Sequence, residues 1–356
     1  MLMTRMNKPL FFLLLSLCVL PVPGQAQLVF GPGPEGTAST LDVIVAVVND
    51  DVITRKELDA AISLVERQMR QNKASIPPRA DLEHQVLERL ILSQLELRTA
   101  ERNGITVDDA TLNAAIDNLA RRNNMSLTQL QQTVEKDGIS FAKFRDDVRR
   151  ELMTARLRQK AVDSQIQISD QDVESLQTQL TGQINPVNGS GGRGAEYHIA
   201  QILIAVPEEA SPEQIATAKR KAEDVLARLG QGEDFGRLAA SVSAGQQALE
   251  GGDLGWRRVD QLPTLFTDVV FKLQPGQFSE LIRSPSGFHI VKLLDMRGGN
   301  ASDTPLSTGG MDRDRVREAL FRRRSDEEWE QWLRRLRDEA YVEVRLRTAQ
   351  STTATP

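Results

Sequence analysis

The stretch Gly251–Ile290 reads GGDLGWRRVDQLPTLFTDVVFKLQPGQFSELIRSPSGFHI, and its reading decides the fold of the second half of the chain. Pro263 to Leu273 reads as a helix, and Phe278–Ile282 and Phe288–Leu294 as strands separated by the turn signal Ser-Pro-Ser-Gly. Upstream, Ile199–Val206 is a β-branched run that predicts a strand. Ser211-Pro212-Glu213-Gln214 places an N-cap, a proline at the first helical position and a capping-box Gln in sequence. The helix it starts runs to Gly230, and Phe235–Ala240 predicts another. Residues 196–297 are therefore expected to be an α+β domain.

The preceding segment, 41–182, is expected to be mainly α. It starts with the run Val43–Val48, a turn at Asn49-Asp50-Asp51 and a return at Val52-Ile53, a hairpin candidate. Thr54 and Glu57 form a capping box. Leu82, Val86, Leu87, Leu90, Ile91 and Leu95 recur at helical spacing until Gly104. Thr106 with Asp109, Ser126 with Gln129, and Ser169 with Asp172 predict three further helix starts. The end of the chain, 311–346, predicts a long charged helix with Leu320, Trp329, Trp332, Leu333 and Leu336 on one stripe, then an alternating strand from Tyr341 to Leu346. A lone strand needs an edge, and Val43–Val48 offers one. Such pairing makes the α+β domain an insertion.

Composition marks the joints. Residues 27–40, 183–195 and 298–310 are rich in Gly, Ser, Asn and Pro and cannot bury enough apolar area to fold alone; 347–356 is expected to be a disordered tail. Residues 1–26 read as a signal peptide: Arg5 and Lys8, the apolar run Leu10–Leu20, and small residues ahead of a cleavage site after Ala26. The run is short of the ~20 residues that a spanning helix needs. Cleavage removes Cys18, the only cysteine, so the mature chain has no disulfide and no thiolate metal site. The chain has 44 basic and 49 acidic residues, net −5; losing Arg5 and Lys8 leaves 42 against 49, or −7. An acidic chain argues against nucleic-acid binding. The sequence shows no glycine-rich phosphate loop ending in Lys-Ser/Thr, so no ATP site is expected.

Gly252-Asp253-Leu254-Gly255-Trp256, Leu262-Pro263, Phe266 and Ser284-Pro285-Ser286-Gly287-Phe288-His289 resemble the signature of parvulin-type (PpiC, rotamase) peptidyl-prolyl isomerases. The resemblance implies the order strand, helix, helix, strand, helix, strand, strand. Over residues 41–346 the chain resembles the SurA family of periplasmic chaperones. Ala46–Ile53 (AVVNDDVI), Asn123–Leu127 (NNMSL), Ala319–Trp329 (ALFRRRSDEEW) and Ala340–Val344 (AYVEV) carry that likeness. It implies a chaperone core of N-terminal helices completed by the C-terminal helix and strand. It also implies unfolded outer-membrane β-barrel proteins as clients, with the outer-membrane assembly machinery as a further candidate partner, and no cofactor. The family often carries two parvulin domains; here one is legible, and Gln246-Gln247-Ala248 resembles the first, less active copy.

Prolyl rotation faces a barrier near ~20 kcal/mol, and an isomerase lowers it by binding the twisted amide best, without a covalent intermediate. Parvulins use an apolar proline pocket and a polar cluster of two His, a Cys or Asp, and a Ser or Thr. By resemblance Leu254, Leu262 and Phe266 take the pocket positions with Ser286 beside them, and Ser284 and His289 take the hydroxyl and the second His. The first His position falls on Gln201 and the Cys/Asp position on Gly245. His198 is three residues from Gln201, which on a strand is the opposite face. Leu254 is equally open to a core role and His289 to a structural one. His84 reads as a surface or packing residue.

Two function classes stand at this point. One is an ATP-independent periplasmic holdase whose parvulin domain clamps extended or proline-containing peptide with weak or absent isomerisation. The other is an active prolyl isomerase; a third reading, a membrane-tethered foldase, keeps the signal uncleaved. The stripes at Leu82–Leu95 and Trp329–Trp332 are candidate client surfaces, against the ordinary reading that such stripes are core.

Overall fold

The computed structural model describes residues 42–136, 138–182, 195–258, 261–262, 264–298 and 313–346. The expected signal peptide, lead-in, both linkers, Pro263 and the C-terminal tail lie outside the described residues.

Two short strands, β1 (Ile44–Val48) and β2 (Asp51–Thr54), form the expected hairpin, with Val48 opposite Asp51. Asn49 turns it at φ 51°, a left-handed conformation that Asn tolerates better than most residues. Six helices follow: α1 (Arg55–Gln71), α2 (Arg79–Arg102), α3 (Asp109–Arg122), α4 (Leu127–Lys136), α5 (Phe141–Ala161) and α6 (Asp170–Gly182). The Thr54–Glu57 capping box is present in full, and Ser126–Gln129 and Ser169–Asp172 bond reciprocally as predicted. One predicted cap is displaced. Asp108, not Thr106, caps α3, because its carboxylate accepts both the Thr111 N–H and the Thr111 hydroxyl.

The long C-terminal helix α10 (Arg313–Glu339) gives way, as expected, to a strand, β7 (Val342–Val344), which is shorter than the predicted Tyr341–Leu346. β7 pairs antiparallel with β1, giving a three-stranded sheet of order β2-β1-β7. Asn49 secures the junction: its N–H donates to Tyr341 O (2.8 Å) and its Oδ1 accepts from Tyr341 N (3.0 Å). One stripe of α10 enters three apolar clusters in turn. Val316 and Leu320 pack with α6, Trp329 and Leu333 with α3–α5, and Leu336 against the β1/β2–α1–α2 core. The stripes at Leu82–Leu95 and Trp329 are thus not exposed client surfaces. Leu82, Val86, Leu87, Ile91 and Leu95 are at most 1% exposed and Trp329 is 5%. Trp332, half-buried, stacks on Trp329 with centroids 4.8 Å apart.

The α+β domain follows the expected order: β3 (Glu196–Ala205), α7 (Pro212–Gly230), α8 (Phe235–Val242), β4 (Asp253–Arg258), α9 (Thr264–Val270), β5 (Ile282–Ser284) and β6 (Gly287–Arg297). Its antiparallel sheet has the order β4-β3-β6-β5. The strand predicted at Phe278–Ile282 is shifted: Phe278 makes only an isolated bridge to Lys292, and the paired segment begins at Ile282. α7 and α8 cover one face through Ala200, Ile202, Ile204 and Phe288; α9 covers the other through Tyr197, Ile199, Val291 and Leu293. The register shifts of β3 against β4 and β6 fall where Leu254 and Leu294 are the extra residues, so β3 itself alternates without interruption.

This domain packs on the helical core. Ala240 and Leu249 are buried in the same cluster as Met69, Leu82 and Val86 of α1 and α2. Ser241 bonds Asp81 through its hydroxyl and Gln85 through its carbonyl (3.1 Å), and Arg89 pairs with Glu250 at 3.1 Å.

Candidate functional site

Glycine geometry brings β4 and β6 against β3. Gly252 (φ 76°) places its carbonyl on Gln201 N at 2.8 Å, and a Cβ there would lie 2.2 Å from Gln201 O. Gly287 (φ 140°) would put a Cβ 2.1 Å from Ile204 O. Both positions need glycine because neighbouring backbone occupies the space a side chain would take. These two approaches hold β4 and β6 against β3, with Gln201 and His289 between the same walls.

The centre is a hydrogen-bonded row. Gln201 Nε2 lies 3.0 Å from His289 Nδ1, and His289 Nε2 lies 2.7 Å from Ser284 Oγ. Ser284 Oγ also accepts the Ser286 N–H at 3.0 Å. With the Gln201 amide donating to Nδ1, the ring carries its proton on Nε2 and donates it to Ser284, which keeps its own hydroxyl hydrogen for a ligand. Gln201 and His289 are buried, while Ser284 and Ser286 are half-buried at the rim. Burial, and then the charges of Arg334 and Arg283, push the His289 pKa down to about 4, so the ring is neutral at physiological pH. Phe266 meets that ring edge-on, centroids 5.5 Å apart. Leu262, fully buried, sits in the core with Phe266, and Leu254 packs partly buried against the same cluster. All seven residues singled out in the sequence thus fall in one region, with Leu262 as floor rather than surface.

His198 stays apart, as its strand parity requires. It pairs with Asp253 (2.7 Å) and stacks on Trp256, whose face also carries the Arg297 guanidinium at 4.1 Å. His84 is exposed on α2. Gly245 follows α8, and its N–H donates to Ser243 Oγ at 3.2 Å. Buried Ser243 also accepts the Leu203 N–H, a role with no sequence signal.

Sequence reading also missed the contribution of α10. Arg334 donates to Ser286 Oγ, and Arg323 donates to the Leu262 carbonyl at 3.3 Å. Arg323, Glu327, Glu330, Arg334 and Asp338 recur at helical spacing, so a charged stripe of α10 turns to the α+β domain while its apolar stripe holds the helical core. A crevice of about 630 Å³, which Leu254 also lines, opens between α1–α2 and the α+β domain; Val65, Met69, Ala74 and Leu249 share its wall with polar Gln68, Asn72, Arg89, Glu250, Asp253 and Arg257.

The class that this fold and site define is a rotamase domain set on a helical module. Residues 201–295 match the PPIC-type PPIASE domain family, and residues 41–158 match the SurA N-terminal domain family. The chain is similar to curated proteins named Chaperone SurA. It is 49% identical over 269 residues to Chaperone SurA of Nitrosococcus oceani, covering 76% of this chain and 62% of that protein. It is 44% identical over 283 residues to Chaperone SurA of Chromohalobacter salexigens, covering 79% and 62%. The chain therefore spans about 62% of the length of these curated relatives. A solved PpiC-type peptidyl-prolyl cis-trans isomerase domain is 36% identical, covering 31% of this chain and 97% of that one, with a TM-score of 0.27. A structure of the SurA-like chaperones PEB4 and Cj1289 from Campylobacter jejuni is 15% identical, covers 86% and 99%, and has a TM-score of 0.42.

Proposed function

We propose that the chain is a periplasmic, ATP-independent chaperone that binds unfolded outer-membrane proteins, with its rotamase domain acting as a peptide clamp of weak or absent isomerase activity. The observation that carries this reading is the Gln201–His289–Ser284 row. It offers neutral hydrogen bonds beside Phe266, enough to hold an extended peptide. By the parvulin resemblance it lacks the first His and the acid or thiol, whose positions fall on Gln201 and Gly245. The name Chaperone SurA of the relatives supports the holding role. The crevice against α1–α2, lined by polar and apolar residues alike, gives a second contact, so a client that meets both gains from effective concentration.

The test is a paired assay on the same protein: suppression of aggregation of an unfolded β-barrel client, and cis-to-trans conversion of Xaa-Pro tetrapeptides. Suppression without isomerisation above buffer supports the clamp. Isomerisation that is lost in His289→Ala or Phe266→Ala gives first place to the second reading, an active isomerase. The intact Ser284–His289 pair, with a hydroxyl hydrogen free for the substrate, is the observation that favours it.

A further inference from the structure

Arg334 belongs to α10, outside the rotamase domain, yet it stands one hydrogen bond from the Ser284–His289 pair through Ser286. A guanidinium has five N–H donors. That of Arg334 has one partner, the neutral Ser286 hydroxyl, and among the described residues it makes no ion pair within 4 Å. Its unbonded donors are not sealed: among the described residues the one buried side-chain nitrogen or oxygen lacking a partner is Arg237 Nε. The acids near it are Glu330 on the preceding turn of α10, Asp338 on the next, and Glu208 from the β3–α7 loop. Burial raises the pKa of the Glu330 and Asp338 carboxyls, and neither makes an ion pair with Arg334 within 4 Å among the described residues. Burial also disfavours the charged form of Arg334 itself. A partly desolvated cation with open donors is completed by an anion, and a carboxylate fits its planar fork with two parallel bonds. The rim beside it is open, since Pro285, next to Ser286, is exposed.

We infer that Arg334 is a carboxylate-recognising residue of the peptide groove, so that the C-terminal helix gives the rotamase site a preference for proline segments flanked by an acidic side chain. The inference rests on the peptide-clamp reading above.

The experiment uses the full chain and acetylated, amidated peptides: Ala-Glu-Pro-Phe, Ala-Gln-Pro-Phe, Ala-Pro-Glu-Phe and Ala-Pro-Gln-Phe, titrated by NMR or calorimetry. A fifth, Ala-Gln-Pro-Phe with a free C-terminal carboxylate, separates a side-chain source from a chain end. A Glu-over-Gln affinity ratio of about 10 is expected in at least one register, as for a hydrogen-bonded charge pair. The ratio should fall to about 1 in Arg334→Gln and shrink as salt rises. Arg283→Gln is the control. Arg283 stacks on Phe288, on the opposite face of the sheet from His289, and its loss should leave the ratio intact. Should Arg334→Gln fail to fold, the salt series and the Glu-to-Gln ratio of the unaltered chain still decide. Equal binding of Glu and Gln peptides, or a preference that survives Arg334→Gln, overturns the inference and leaves the clamp standing. A preference for the free chain end alone moves recognition to the terminal carboxylate and overturns the side-chain claim. No binding of any peptide sinks the clamp reading itself.

Discussion

Gln201 Nε2 stands 3.0 Å from His289 Nδ1, at the position where the parvulin resemblance implies a first histidine. A neutral amide thus fixes the tautomer of a neutral ring, and the row ends in the Ser284 hydroxyl. His289 is buried and its pKa is about 4 against 6.5 when exposed. Between these values the unfolded chain binds a proton that the folded one does not. Stability is therefore full above about pH 6.5 and falls as pH drops toward 4, by about 3 kcal/mol for a shift of this size. The measurement is chemical denaturation from pH 4 to 7.5 on the parent chain and His289→Gln, with the His289 ring followed by NMR. A ring that titrates near pH 6.5 in the folded protein would sink the assignment.

A second prediction concerns Gln201 and Gly245, which the proposed function takes as departures from the parvulin pattern. Gly245 has room for a side chain: a Cβ there meets only Ser243 Oγ, at 3.4 Å, and its φ lies outside the left-handed region. If Gln201 and Gly245 hold isomerisation down, Gln201→His with Gly245→Asp should raise kcat/KM by about 10²-fold, the usual reach of a positioned acid–base group. Each single change should do less, because the cluster acts as a unit. The readout is the tetrapeptide cis–trans assay; an unchanged rate in the double variant overturns the explanation.

Much of this was legible in the sequence. Local signals set the helix starts at Thr54, Ser126, Ser169 and Ser211, since a cap and its N3 partner are only three residues apart. Period-2 alternation placed His198 and Gln201 on opposite faces, and the bulges fall on β4 and β6, where they do not upset that parity. The free edge at Val43–Val48 and the orphan strand at the C-terminus pointed to each other, and β1 pairs with β7. What was not legible is long-range. Which side of α10 meets which neighbour depends on packing between elements more than a hundred residues apart, so Arg334 and Arg323 carried no signal. For the same reason the stripes at Leu82–Leu95 and Trp329 could be read as client surfaces, although tertiary packing buries them.

Gly252→Ala is predicted to be among the most damaging single changes in the rotamase domain. Its Cβ would come within 2.2 Å of the Gln201 carbonyl oxygen and 3.1 Å of its carbonyl carbon, and the residue holds φ 76°. Backbone cannot yield as a flexible side chain can, so β4 must leave β3 and the Gln201 N bond to Gly252 O must break. The expected cost is about 4 kcal/mol or more, in the range reserved for steric conflict with fixed backbone. Gly255→Ala is the control: it shares a positive φ, but a Cβ there meets nothing within 4 Å, so strain alone should cost about 1–2 kcal/mol. Urea denaturation of the two variants should separate them; equal losses would mean that close approach is not what demands glycine at 252.

The C-terminal helix should be indispensable to the helical core rather than an appendage. α10 supplies Val316 and Leu320 to one cluster, Trp329 and Leu333 to a second and Leu336 to a third, and β7 completes the sheet beyond it. Trp329→Ala should cost about 3–5 kcal/mol, the ordinary range for emptying a buried aromatic site. Arg323→Ala, on the charged stripe against the rotamase domain, removes one 3.3 Å bond to the Leu262 carbonyl from a guanidinium that burial already disfavours. It should cost less than about 1.5 kcal/mol. The two sides of one helix thus predict opposite sensitivities. Hydrogen exchange would distinguish them, with amides of α3–α5 losing protection in Trp329→Ala and keeping it in Arg323→Ala. If Trp329→Ala left α3–α5 protected, the helix would be resting on the core rather than completing it.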